Sequence, residues 1–312
     1  MDVQRASFTA LAACFFRAIH SRCDPDPLIH DTLGDHLLSE NEETLLLQRL
    51  LLTLGPEEQE AVRKEADPGR ALERAVHESP SYGGVIARAR YVEDLLAVGL
   101  DTSRTQYVVL GAGLDTLVFR RPDLAGRLQV IEVDHPATQQ LKLERLARAG
   151  FETPDNVRFV ATDLEAEPLE AALDRGGFDR RSSALFAWLG VTPYLTREAN
   201  FEILSSVGRL AAPTSELAFD YLDKAAFDAP DDSSAAGRMK REREGTAEPF
   251  VSSFAPDDLH KDLMALGLEV VEDLSPSDVE ARYCAGRADG LRLRAPGRIA
   301  LARVTARAGA DG

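Results

Sequence analysis

The pattern of apolar positions divides the chain into a helical first part and a longer part in which strands and helices alternate. Apolar residues recur every three or four positions in the stretches 5–22, 28–38 and 45–54, so each stretch is predicted to be helical. We interpret residues 1–80 as an N-terminal helical cap and residues 81–312 as the core domain.

Beyond residue 80, short apolar runs typical of strands alternate with helical stretches, as in parallel βαβ units. The helical stretches include 82–98, a stretch that Thr196 caps, and 256–267. The predicted strands cover residues 108–110, 128–133, 157–161, 183–189, 216–219, 268–274 and 299–304. A long loop through 283–292 joins the last two strands and is compatible with an antiparallel last strand. The pattern therefore predicts an α/β fold.

One segment interrupts this alternation. Residues 228–249 are rich in Asp, Ser, Ala, Arg and Glu and carry few apolar side chains. Such a composition is typical of a mobile insertion rather than of core. We predict a lid insertion near residues 225–250, lying over the functional site.

Composition and charge narrow the classes of function. The 312 residues are 44% hydrophobic and 28% charged, which is ordinary for a globular protein, and the net charge is −16. An acidic surface repels nucleic acid and anionic lipid, so neither is expected as a partner. We read no signal peptide and no membrane span and expect a cytoplasmic protein. Cys14, Cys23 and Cys284 lack paired ligand spacing, so no metal site is expected; the oligomeric state stays open.

The glycine turn that follows the first predicted strand is the central candidate for ligand binding. Gly111-Ala112-Gly113 bends the backbone where the chain restarts as a helix through Asp115, an arrangement that cradles nucleotide-type cofactors. A tight turn without a ligand is the alternative. The pyrophosphate-binding fingerprint needs a small residue where Thr116 stands. We therefore favour a cofactor with ribose and adenine but no phosphates, namely S-adenosylmethionine.

Acidic residues at the ends of the next two strands could hold such a nucleoside. Glu132 or Asp134 ends the second strand, where a ribose diol would find acceptor oxygens, although Asp134 could instead cap the next helix. Asp163 ends the third strand and could accept from the adenine amino group, while the backbone N–H of Leu164 meets a ring nitrogen. Ordinary turn chemistry is the alternative for Asp163.

Three further segments are candidates for binding the ends of the cofactor and the substrate. Arg88 lies beside the apolar face of the helix 82–98 and could bind a cofactor carboxylate or a structural acid. The loop that contains Tyr194 follows the fourth strand and should face the reacting centre. Asp220 and Tyr221, after the fifth strand, could position a substrate, although Tyr221 could equally pack in the core.

Together these segments resemble the leucine carboxyl methyltransferase family, specifically its bacterial branch of S-adenosylmethionine-dependent O-methyltransferases of secondary metabolism. The resemblance covers nearly the whole chain. The matching stretches are 26–29, 87–90, 110–116, 132–136, 163–164, 190–195, 219–221 and 286–291.

The resemblance implies a Rossmann-like class I methyltransferase fold, with a seven-stranded sheet flanked by helices. It also implies that Arg88 binds the cofactor carboxylate, that Gly111 lies under the methionine portion, that Asp134 binds the ribose and that Asp163 and Leu164 contact the adenine. Arg17, from the first helix, is a further candidate for the carboxylate. Many relatives carry Glu where this chain has Leu189, so a role of that carboxylate is absent or has moved.

The expected reaction is methyl transfer to a carboxylate or hydroxyl group of a small molecule or peptide. Methyl transfer from a sulfonium needs alignment more than covalent help, so no catalytic residue has to stand out. Asp220, Tyr221 and His260 are the candidate bases, and the last is more typical of a surface residue. A nicotinamide-dependent dehydrogenase and a non-catalytic cofactor-binding protein are the alternatives.

Overall fold

A computed structural model describes residues 7–99, 104–228, 234–243 and 246–306. It contains one sheet, and its strands are β1 (Gln106–Leu110), β2 (Gln129–Asp134), β3 (Val157–Ala161), β4 (Ala184–Trp188), β5 (Glu216–Leu222), β6 (Leu268–Leu274) and β7 (Gly297–Val304). All seven predicted strands are confirmed, with ends that differ by a few residues. The last strand starts two residues earlier than predicted, and the fifth ends three residues later.

Helices flank the sheet and form the N-terminal part of the chain. They are α1 (Phe8–Cys23), α2 (Glu40–Thr53), α3 (Pro56–Lys64), α4 (Pro68–His77), α5 (Tyr82–Gly99), α6 (Leu117–Arg120), α7 (Pro136–Arg148), α8 (Leu169–Gly176), α9 (Arg197–Leu210), α10 (Lys224–Phe227), α11 (Ala235–Arg243), α12 (Pro256–Ala265) and α13 (Pro276–Tyr283). Of these helices, none has the length and apolar character needed to cross a bilayer. The predicted cap on α9 is confirmed, because the Thr196 hydroxyl accepts from the N–H of Ala199.

The strands lie in the order β3-β2-β1-β4-β5-β7-β6. Neighbours from β3 to β5 are parallel, whereas β7 runs antiparallel to both β5 and β6. The predicted seven-stranded α/β sheet is therefore confirmed. The order reverses between β1 and β4, and a crevice at the carboxyl ends of these strands is the usual place for a ligand in such sheets.

Both faces of the sheet are buried, which explains the continuous apolar runs of the parallel strands. Along β1, Tyr107 and Val109 pack on one face together with α1 and α5. Val108 and Leu110 pack on the other face together with α8, α9 and α12. The N-terminal helices thus share one hydrophobic cluster with the sheet, and the division of the chain at residue 80 stays a prediction.

Two sequence-based expectations about connections were wrong. The predicted loop between β6 and β7 contains α13, which a capping box of Ser275 and Asp278 starts. The helix after the glycine turn is a single turn, α6, because Pro122 follows closely and disfavours helical backbone in the residue before it.

The predicted lid also differs from expectation in its described part. Residues 235–243 form α11, whose Ala236 and Met239 pack against Leu222, Phe227 and Ala295. The interpretation as a mobile insertion falls partly on 229–233 and 244–245, which lie outside the described residues. The described part is a packed helix, because its few apolar side chains all face one small cluster.

Candidate functional site

A cavity of about 260 Å³ opens at the carboxyl ends of β1, β2 and β4. All but one of the predicted cofactor-binding residues line it. They are Arg17, Arg88, Gly111, Ala112, Gly113, Asp115, Asp134, Asp163 and Leu164. Tyr194, predicted for the substrate, and Leu189 also line it. We call this space the first cavity.

The glycine turn lies at the floor of the first cavity and is tied to β2. Gly111 and Gly113 adopt positive φ angles of 70° and 54°, and a Cβ on Gly111 would overlap the side chain of Val191. The N–H of Gly111 donates to the Val133 carbonyl at 2.8 Å, and that of Gly113 donates to the Asp134 carboxylate. Two N–H groups of the turn are therefore already used within the protein.

The start of the helix after this turn does not form the expected anion site. The N–H of Leu117, at the start of α6, donates to the Asp115 carboxylate at 2.6 Å. A one-turn helix also has too few aligned peptide groups for a strong dipole. Both features argue against a pyrophosphate at this place.

Asp134 presents a buried carboxylate to the first cavity. Its side chain accepts from the backbone N–H groups of Gly113 and His135, the latter at 2.6 Å, and the residue is only 8% exposed. Burial raises the pKa of Asp134 above its usual value, against the effect of these hydrogen bonds. The cap of α7 is His135 rather than Asp134. Within the described chain, no Lys, Arg or His side chain lies within 4.0 Å of this carboxylate.

The prediction that Glu132 could bind the ribose is not supported by its position. Glu132 lies two residues before the end of β2, beneath α7, and pairs with Lys142 at 2.5 Å. Both side chains are almost fully buried, and burial raises the pKa of Glu132 to about 7. Of the two acids left open by the sequence, Asp134 is the one that faces the first cavity.

Two guanidinium groups reach the other end of the first cavity. Arg17 donates through Nε to Asp31 at 2.8 Å and through a terminal nitrogen to the Leu114 carbonyl at 2.6 Å. Arg88 donates to Asp220 at 2.8 Å, so the structural-acid alternative is realised for it. Both side chains still line the first cavity, where a carboxylate ligand would complete their hydrogen bonding.

Asp163 and Leu164 line the first cavity beyond the end of β3. The Asp163 carboxylate accepts from the N–H of Glu165 at 3.0 Å, which is the turn chemistry foreseen as its alternative. The same side chain remains available to a ligand, because a carboxylate has several acceptor positions.

A second, smaller cavity of about 70 Å³ adjoins the first. Six residues line both: Thr9, Ala13, Val85, Arg88, Gly190 and Tyr194. Asp220 lines the second cavity and accepts from the Gly190 N–H at 2.5 Å as well as from Arg88. The Tyr194 ring stacks on Phe250 with centroids 5.2 Å apart.

Two of the candidate bases lie away from both cavities. Tyr221 is buried in the core and donates to Asp273 at 2.6 Å, and His260 contacts the same carboxylate at 2.6 Å. The prediction that Tyr221 positions a substrate is therefore wrong, and its core alternative is realised. The reason is that β5 extends to Leu222, so residues 220 and 221 belong to the strand rather than to the loop after it.

Sequence reasoning missed two acids that shape the first cavity. Asp31 is fully buried and binds Arg17 and the Thr116 hydroxyl, the latter at 2.5 Å. Glu248 accepts from the backbone N–H and hydroxyl of Thr9 at 2.8 and 2.6 Å, and so ties the segment after α11 to the start of α1. The only signal for Asp31 was its place just after the matching stretch 26–29; Glu248 carried none.

Comparison with known proteins identifies related sequences. The leucine carboxyl methyltransferase family model matches residues 10–208. The chain is 35% identical over 295 residues to YktD of Bacillus subtilis, assigned as an S-adenosyl-L-methionine-dependent methyltransferase, and the match covers 93% of this chain and 95% of YktD. A protein of Mycolicibacterium smegmatis with the same assignment is 33% identical, over 69% of this chain and 66% of its own.

Solved structures resemble the fold more distantly. The magnesium protoporphyrin IX methyltransferase of Synechocystis, solved with bound S-adenosylhomocysteine, aligns with a TM-score of 0.47 at 13% identity. The alignment covers 84% of this chain and 99% of that enzyme.

Proposed function

The chain belongs to the leucine carboxyl methyltransferase family and is an S-adenosylmethionine-dependent methyltransferase, and on this premise we propose that it methylates an oxygen atom of a small molecule or peptide. The favoured acceptor group is a carboxylate, with a hydroxyl as the second candidate. The resemblance to the secondary-metabolism branch extends the proposal to an acceptor from natural-product metabolism.

The first cavity fits the cofactor at each of its polar ends. Asp134 is a buried carboxylate without a cation partner in the described chain, which suits a diol that donates two hydrogen bonds. Asp163 and the N–H of Leu164 would hold the adenine. Arg88 and Arg17 would bind the carboxylate at the opposite end. When bound, S-adenosylmethionine supplies a methyl group on a positively charged sulfur.

The residues shared by the two cavities carry the proposal about the acceptor. Among the described residues, those lining both cavities include the hydroxyls of Thr9 and Tyr194 and the guanidinium of Arg88, but no carboxylate and no imidazole. A hydroxyl acceptor needs a base to take its proton, whereas a carboxylate is already a nucleophile at neutral pH. The junction therefore favours ester formation.

The residues around this junction would act by alignment and by excluding water. Arg88 is held by Asp220, and Asp220 is in turn held by the Gly190 N–H, so the guanidinium has a defined position. Glu248, bound to Thr9, closes the opposite wall of the first cavity. Such positioning is the main contribution that a methyl transfer requires from the protein.

The test is an assay of S-adenosylhomocysteine release on a panel of carboxylic acids with matched alcohols and phenols, with products identified by mass spectrometry. We expect methyl esters from acids. Arg88→Gln should raise the KM for S-adenosylmethionine by about 10-fold or more, since a charge-assisted contact is lost. Arg90→Gln is the matched control, because Arg90 lies on the same helix and pairs with Asp94 at 2.7 Å without lining either cavity.

Other outcomes would select the alternatives. Methyl ethers formed only from phenols or alcohols would replace the carboxylate by a hydroxyl acceptor. Binding of S-adenosylmethionine without turnover on any member of the panel would favour the non-catalytic interpretation.

A further inference from the structure

Arg243, at the end of α11, is a buried cation in the wall of the second cavity. The residue is 9% exposed, and its guanidinium carbon lies 6.0 Å from the ring centroids of both Tyr194 and Phe250 and 5.6 Å from that of Phe8. Aromatic faces attract a cation, but each such contact provides only about 0.5–2 kcal/mol. A buried charge normally also has an anionic partner.

Within the described chain, Arg243 has no such partner. One terminal nitrogen donates to the Thr9 hydroxyl at 3.3 Å, Nε is buried without a hydrogen bond, and no carboxylate oxygen lies within 4.0 Å. The other arginines that line the second cavity are paired, Arg88 with Asp220 and Arg298 with Asp273. Arg243 is therefore the cation of this wall that is left for a ligand.

The acids nearest to Arg243 are engaged elsewhere. Glu242 accepts from the hydroxyls of Ser79 and Ser81 at 2.8 and 2.6 Å. Glu248 accepts from Thr9, the same residue whose hydroxyl Arg243 contacts. Their negative charges stabilise the guanidinium at a distance, but they leave its remaining donors facing the second cavity.

We propose that Arg243 binds the carboxylate of the methyl acceptor in the second cavity and so determines the specificity of the enzyme for acidic acceptors. This proposal rests on the proposed function, because it places the acceptor where the two cavities meet. The aromatic rings around Arg243 and the apolar walls of the second cavity suit an acceptor with an aromatic or apolar body.

The chemistry of the reaction agrees with this placement. A carboxylate oxygen that gains the methyl group forms an O–C bond as the C–S bond breaks, and its negative charge disappears together with the positive charge on sulfur. No proton has to move. The neutral ester would lose the charge-assisted contact with Arg243, which favours release of the product over the substrate.

The test uses the full chain saturated with S-adenosylhomocysteine and two probes, 3-phenylpropanoate and its neutral counterpart 3-phenylpropanol, titrated by calorimetry. We expect the wild-type protein to bind the acid more tightly than the alcohol. Arg243→Gln should weaken binding of the acid about 10- to 100-fold and leave binding of the alcohol within about 2-fold. Arg243→Lys, which keeps the charge, should retain part of the preference.

Arg241→Gln is the matched control, because it removes the same charge from the same helix at a residue that lines neither cavity. An acid that binds the wild-type protein no more tightly than the alcohol would overturn the inference, as would a preference unchanged in Arg243→Gln. If Arg243→Gln fails to fold, a full acid preference in Arg241→Gln with a reduced one in Arg243→Lys supports it, and equal preferences overturn it. Failure of the wild-type protein to bind S-adenosylhomocysteine would instead overturn the proposed function.

Discussion

Replacing Asp134 by Asn tests the ribose site with little change in size. The two carboxylate oxygens accept from the N–H groups of Gly113 and His135, and their remaining acceptor positions face the first cavity. An amide turns one of these oxygens into a donor that faces an N–H group, and it removes the charge that would bind the diol. Hydrogen bonds to a charged group contribute about 1.5–3 kcal/mol, so the Kd for S-adenosylhomocysteine should rise about 10- to 150-fold.

The matched control lies two residues earlier on the same strand. Glu132→Gln is also an acid-to-amide change, but it leaves Lys142 buried without a charged partner, which should lower the free energy of unfolding by about 3–5 kcal/mol. The Kd of the folded protein should stay within about 2-fold of wild type. Calorimetry gives the two Kd values and urea unfolding gives the two stabilities. Equal losses of affinity in both variants, or none in Asp134→Asn, would refute the assignment of the ribose to Asp134.

Three further predictions concern stability and the core. Gly111→Ala should destabilise the protein by at least about 1–2 kcal/mol in urea unfolding, since φ is 70° and the new methyl overlaps Val191; adding Val191→Ala should recover part of the loss, and strict additivity would contradict this. Burial lowers the pKa of His77, but the hydrogen bond to Asp24 outweighs it and raises that pKa above 6.5. Its contribution is therefore complete below pH 6.5 and lost as the pH rises through the raised pKa, so wild type should lose more stability than His77→Gln between about pH 6 and about pH 9. Tyr221→Phe should leave the KM for S-adenosylmethionine within about 2-fold and cost about 1 kcal/mol of stability, whereas a selective loss of activity would return this residue to the site.

The sheet could be predicted from the sequence because strands buried on both faces leave continuous apolar runs. The glycine turn could be predicted because a positive φ at Gly111 and the packing of Val191 leave no room for a side chain. The length of α6 was misjudged, although Pro122 carried the signal that ends it.

The roles of individual acids could not be predicted with the same success, because a strand pattern gives the face but not the depth of a side chain. Glu132 and Asp134 share a face, yet Lys142 from α7 covers the deeper one and leaves the other at the first cavity. Asp31 and Glu248 reach the site from loops, where no periodicity exists to place them. Arg243 belongs to a polar segment whose composition conceals that its helix packs over the second cavity.

The most direct test of the account is a crystal structure of the full chain with S-adenosylhomocysteine. We predict that the ribose hydroxyls donate to Asp134, that the adenine lies against Asp163 and Leu164, and that the carboxylate reaches the guanidinium of Arg88. A ligand bound elsewhere, or one whose ribose lies away from Asp134, would contradict the central claim that the first cavity is the cofactor site.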